Sequence, residues 1–244
     1  MKDILIKYHL FIFPIKIRRS APEHWRELTR RQFLAVVRLF SSEKNSEIDV
    51  LQNIYYINRF IINRLSGFEI FVMFNILDFL NQLSPCSRFL IPNINEYCSP
   101  KPRLEGMSFG QFMYADTYFM DYLDNQEPES LNKFMASLYL KANEEFSEKS
   151  IEATAKVMEK QGAIIKEAVL LNYRLIKEFL IEAHPVLFTR SKNAEEVVVK
   201  RKFSWLNVYD GLVGDDIINR DKYAAMPVQE VFRYLSKKLK KNAR

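Results

Sequence analysis

From Thr29 to Leu239 apolar residues recur at three- and four-residue intervals in one segment after another. That spacing places them on one side of a 3.6-residue turn, whereas a half-buried strand requires alternation. The chain of 244 residues holds only six Gly and nine Pro. Average usage is roughly 7% and 5%, so the turn residues of a many-stranded sandwich or barrel are missing. The expected fold class is mainly α, a multi-helix array.

Local signals place the first helices. Thr29 precedes RRQFLAVVRLF with Gln32 three residues on, a capping box, and Phe33, Val36, Val37 and Phe40 follow at helical spacing. A broad apolar face runs through Ile48, Leu51, Ile54, Tyr55, Ile61 and Leu65, and Ser66 with Glu69 opens another capping box. The run IFVMFNILDFL, Ile70 to Leu80, includes Asp78 and is too short to span a bilayer. It is expected to be a buried helix.

The N-terminal stretch alternates as Ile4, Ile6, Tyr8 and Leu10, slips in phase, and resumes through Ile15 and Ile17. This predicts an extended segment or a bent strand. Charges at Lys2, Asp3, Lys7 and Lys16 and the lack of a small-residue cleavage site mark it as structure, not an export signal. The Val197–Val199 triplet within residues 196–203 is the candidate to pair with it in a small β element.

Residues 84–107 concentrate four prolines and break both periodicities, as an exposed connector would. The expected organisation is therefore an N-terminal extended segment (1–20), a helical subdomain (21–83), a Pro-rich connector (84–107), a second helical subdomain (108–190) and a C-terminal segment (191–244) with a basic amphipathic helix. No internal repeat of fixed period is found.

Chemistry-bearing motifs are scarce. His9, His24 and His184 stand far apart, and no H-E-x-x-H, P-loop, G-x-G-x-x-G or G-x-S-x-G pattern occurs. Asp116 and Asp121 are five apart on one expected helix and point roughly 140° from each other, so they do not share a metal site. His184, just before Pro185, reads as a helix C-terminal residue favoured by the macrodipole. Cys86 and Cys98 are too few for a disulfide framework and read as reduced thiols of a cytosolic protein. No catalytic residue, cofactor or metal is expected.

Net charge is +6, with 36 basic and 30 acidic residues intermixed. That permits anionic partners without demanding them. The closing segment PVQEVFRYLSKKLKKNAR concentrates the choice. Pro227 starts a helix whose Val228, Val231, Phe232, Leu235 and Leu239 form an apolar stripe, the expected partner-binding face. Arg233, Lys237, Lys238, Lys240 and Lys241 are the candidate nucleic-acid contacts. Lysines in a last helical turn also complement the helix dipole without any ligand, so docking to protein ranks ahead of nucleic acid.

Three ordered stretches carry a resemblance: EGMSFGQFMYADTYFMDYL, ESLNKFMASLYL, and SWLNVYDGLVGDD followed by the Pro-led basic helix. Their marks are Ala115, Asp116 and Tyr118; Leu131, Asn132, Leu138 and Tyr139; and Trp205 and Pro227. In order and spacing the chain, over roughly Thr29 to Arg244, resembles mostly uncharacterised proteins encoded among bacteriophage and prophage tail-morphogenesis genes, some treated as tail assembly chaperones. The resemblance implies a non-enzymatic protein of the host cytoplasm that binds phage tail components, with self-association a further expectation. It implies no catalytic residues. The alternatives are a virion structural subunit of tail or connector, and a nucleic-acid-binding accessory protein. No membrane or small-molecule partner is expected.

Overall fold

The computed structural model describes residues 1–10, 13–44, 46–188 and 205–242. Among them are eleven α-helices, one two-stranded sheet and one three-stranded sheet. The fold is mainly α. Contacts gather the chain into two units, each drawn from two stretches: Met1–Cys86 with Ala163–Glu178, and Ser87–Gly162 with Phe179–Arg244. This division differs from the sequential one read from composition, because the long helix α8 (Ala163–Ala183) contributes to both units.

The first unit opens with a hairpin. β1 (Lys2–Leu10) pairs antiparallel with β2 (Phe13–Ala21), from Lys2 opposite Ala21 to Leu10 opposite Phe13. The slip in alternation therefore falls between two strands, and the N-terminal segment finds its strand partner within itself. The expected partner, residues 196–203, lies outside the described residues.

α1 (Arg30–Phe40) begins at the capping box of Thr29 and Gln32 and buries Phe33, Val36 and Val37. Trp25, wholly buried, packs edge-on against Phe33 and Phe79 at ring separations of 6.1 and 6.0 Å, and its Nε1 donates to the Gln82 carbonyl at 2.9 Å. The buried indole thus keeps its polar handle satisfied.

The broad apolar face after Ser46 is broken into α2 (Ser46–Tyr55) and α3 (Arg59–Ile62), where Tyr56 takes a left-handed φ of 50° and Asn58 caps the new helix. α4 (Gly67–Ile76) starts at the Ser66–Glu69 capping box. It is not the buried helix expected. Phe68 is 74% exposed and Phe71 59%, while Met73 is the helix's one buried residue. The cause lies in the sequence GFEIFVMFNI, which is apolar all round, so that burying one side leaves aromatic residues on the other.

In the second unit α5 (Phe109–Asn125) ends at Gln126, whose left-handed φ of 58° caps the helix, and Pro128 opens α6 (Pro128–Leu138). The Gln111 side-chain amide donates to the Ser137 carbonyl at 3.0 Å, fixing the start of α5 against the end of α6. α7 (Ile151–Glu159) follows, then the last residues of α8, then α9 (Trp205–Val213), α10 (Arg220–Ala225) and α11 (Val228–Asn242).

Residues 87–107 of the expected connector belong to this core. β3 (Asn93–Ile94), β4 (Tyr97–Cys98) and β5 (Leu140–Lys141) form a small antiparallel sheet that periodicity did not announce. Leu90, Ile91, Ile94, Leu104 and Met107 are buried, and the Tyr139 hydroxyl donates to the Ile91 carbonyl at 2.7 Å. Lys101, Pro102 and Arg103 remain exposed. The prolines stop helix formation, as expected, but the apolar residues among them supply enough burial to hold an irregular segment in place.

Candidate docking groove

Helix α11 is fastened at its start. The Val228 amide donates to the Met107 carbonyl at 3.0 Å and the Phe109 amide to the Met226 carbonyl at 2.8 Å, a single bridge that sets the beginning of α11 beside that of α5. The Gln229 side chain adds a hydrogen bond to the Arg103 carbonyl at 2.6 Å.

The apolar stripe of α11 then divides. Val228, Val231 and Phe232 are at most 1% exposed. Phe232 sits in an aromatic cluster, edge-on to Phe112 at 5.0 Å and to Phe188 at 5.2 Å, and tilted against Trp205 at 5.6 Å. The Trp205 Nε1 donates to the Asp116 carboxylate at 2.8 Å, so the acid once weighed as a metal ligand is 4% exposed and serves the core. Three of the five stripe residues are therefore covered by this chain itself.

Leu235 and Leu239 are covered only in part. Leu235 is half-buried and Leu239 is 42% exposed. With Trp205, Val208 and Leu212 of α9, and with Val186 and Leu187, they line an apolar groove of 350 Å³. Lys238 and Asn207 provide its polar atoms. Gly211 also lines it, and no side chain there narrows the groove.

The basic residues divide as well. Arg233, Lys237 and Lys240 border a second hollow of 240 Å³ with His184 and Ser236, Lys238 reaches the apolar groove, and Lys241 lines neither. All five are exposed, and among the described residues none is in ion-pair contact with a carboxylate. Among the described residues no acidic side chain lines either hollow. Among the described residues these charges meet no carboxylate at ion-pair distance, and in water their field is screened over about 8 Å at physiological salt.

His184 caps α8, its amide donating to the Leu180 carbonyl at 2.8 Å, and its ring packs on Phe232 at 5.4 Å. Burial holds the imidazole below its ordinary pKa, and the Arg233 charge adds to that, against a hydrogen bond donated to the Gln229 side chain that favours the cation. Burial therefore outweighs the attraction of the helix C-terminus expected for a charged histidine.

Among the described residues there is no group of three or more His, Cys, Asp or Glu placed to hold a metal ion, and no helix is long and apolar enough to cross a membrane. Cys86 is buried and Cys98 exposed, both as free thiols. The arrangement of α9 and α11 can bind by burial of apolar surface and by charge. Sequence reasoning missed the α9 wall, although WLNVYDGLV carries Trp205, Val208 and Leu212 at helical spacing. No family model, curated protein or solved structure matches the chain.

Proposed function

We propose that this chain is a non-enzymatic binding protein that seats an amphipathic helix of a partner in the groove between α9 and α11. The observation that supports the reading is the coexistence of an apolar trough, lined by Leu235, Leu239, Trp205 and Leu212, with exposed lysines beside it that, among the described residues, pair with no carboxylate. A helix laid into such a trough anchors through residues at i, i+3, i+4 and i+7. Acidic side chains on its flanks meet Lys237, Lys238 and Lys240, which steer its approach more than they tighten it. The resemblance to proteins of bacteriophage tail morphogenesis supplies the partner class, a tail component met during assembly in the host cytoplasm or, if the chain stays in the particle, a neighbouring virion subunit.

The test is co-purification of the full chain with tail proteins encoded beside it. Leu235→Asp with Leu239→Asp should abolish capture while leaving the far-UV circular dichroism unchanged, since neither side chain is in the sealed core. Replacing Lys237, Lys238, Lys240 and Lys241 by Gln should weaken capture modestly and reduce its dependence on salt. A second reading, phosphate contact by those lysines, has in its favour that they are exposed and, among the described residues, without carboxylate partners. DNA or RNA affinity that falls steeply with salt and disappears in the lysine variant, together with full tail-protein capture by the leucine variant, would overturn the docking reading.

A further inference from the structure

A groove of 530 Å³ runs along α1 and α2 in the first unit. While Phe33, Val36 and Val37 of α1 are buried, Arg30, Arg31, Leu34 and Arg38 line this groove, opposite Asp49, Gln52 and Asn53 of α2. Three guanidinium groups and one carboxylate line the groove, and Glu43 stands beside Arg38. No lysine takes part, so the charge comes entirely from side chains whose planar forks suit two-point recognition of oxyanions.

One of the arginines, Arg31, is oriented through its Nε, and Arg38 has only an exposed ion pair there. The Arg31 Nε donates to the Asn53 Oδ1, and Asn53 is itself tied to the Asp49 carbonyl by its Nδ2 at 2.6 Å. The Arg38 Nε lies 3.7 Å from Glu43 Oε2. Among the described residues no protein acceptor takes the terminal NH2 groups of Arg30, Arg31 or Arg38. Holding a guanidinium by Nε fixes its plane and leaves the paired terminal donors free, which lowers the ordering cost of binding an anion.

Spacing narrows the ligand. Arg31 and Arg38 are seven positions apart, two helical turns and about 10 Å along α1, with Leu34 between them. Arg30 stands beside Arg31, and the two together offer more donors than the two oxygens of a carboxylate accept, whereas a phosphate presents three. We infer that this groove binds a ligand bearing two phosphate groups about 10 Å apart, one gripped by Arg30 and Arg31 and the other by Arg38. The stretch between them passes Leu34, with Asp49 as the carboxylate lining the groove. A short phosphodiester strand and a free polyphosphate share this chemistry. The inference is independent of the docking groove on α11.

The experiment uses the full chain with Lys237, Lys238, Lys240 and Lys241 replaced by Gln, so that the C-terminal lysines do not contribute. Titration calorimetry with 5′-phosphorylated hexathymidylate, a linear inorganic polyphosphate long enough to span both arginine positions, and hexaglutamate compares the sources. One of the two phosphate probes should bind, and the tighter identifies the source. Arg31→Gln with Arg38→Gln should lower that affinity at least about tenfold, from the loss of charge-assisted hydrogen bonds. Asp49→Asn should raise it about threefold by removing the one carboxylate that lines the groove, a gain that misfolding does not imitate. Hexaglutamate binding as tightly as either phosphate probe, no binding of either, indifference to the arginine changes, or weakening by Asp49→Asn would each overturn the proposal.

Discussion

His184 shows how one residue's surroundings set its charge. It ends α8 where a cation is electrostatically welcome, yet the ring lies against Phe232 and beside Arg233, and its pKa falls below 6.5. In the folded chain the imidazole resists a proton that the unfolded chain accepts. Its neutral state thus costs nothing above pH 6.5, and stability declines as pH drops from there to the lowered folded value, then levels off. Urea midpoints measured from pH 7.5 to 5 should fall over that window, and His184→Gln should remove this histidine's share of the fall. The same scale explains why Asp116 could be misjudged from sequence. Its neighbours in sequence suggest an acid in water, but the donor that accounts for its burial, Trp205 Nε1, comes from 89 positions away.

Among the elements, α4 departs most from what its sequence announces. Phe68 and Phe71 contribute exposed ring surface, whereas Phe33 on α1 is sealed in the core. Phe68→Ser with Phe71→Ser should therefore shift the unfolding free energy by no more than about 0.5 kcal/mol per site and raise solubility. Phe33→Ala should cost about 3–5 kcal/mol. Equal losses for the two variants in chemical denaturation would show α4 to be packed. Helix starts were legible because a cap is a local device: Thr29 with Gln32 and Ser66 with Glu69 act within one turn. The side of α4 that is covered was not legible, since an all-apolar helix has no periodic contrast to declare it. Two-residue strands such as Asn93–Ile94 are shorter than any period. In α11 the stripe from Val228 to Leu239 could be read, but not the point at which it passes from core to groove. That point is set by Trp205 and Phe188, which approach Phe232 from other segments.

For the whole molecule, the division into two units that each use two stretches of chain matters more than helix count. Ala163–Glu178 belongs with Met1–Cys86, and its Ala168, Val169, Tyr173 and Ile176 are fully buried. A fragment ending at residue 86 lacks that apolar surface. Expressed alone, it should lack a cooperative thermal transition, and adding the segment 163–178 through a flexible linker should restore one. A sharp transition for the fragment by itself would show the first unit to be self-sufficient. Fold class was legible from the recurring stripes, but this pairing of remote stretches was not, because both halves of α8 look alike in periodicity and differ only in what they meet.

The shared helix also imposes a schedule on synthesis. A ribosome adds about 5–20 residues per second, so the hairpin and the first four helices are exposed for about 4 to 15 s before residues 163–178 are made. During that interval Trp25 and Phe33, sealed in the finished chain, belong to an incomplete unit. The nascent protein is then most open to capture by a chaperone, and to adhesion between neighbouring chains on one message.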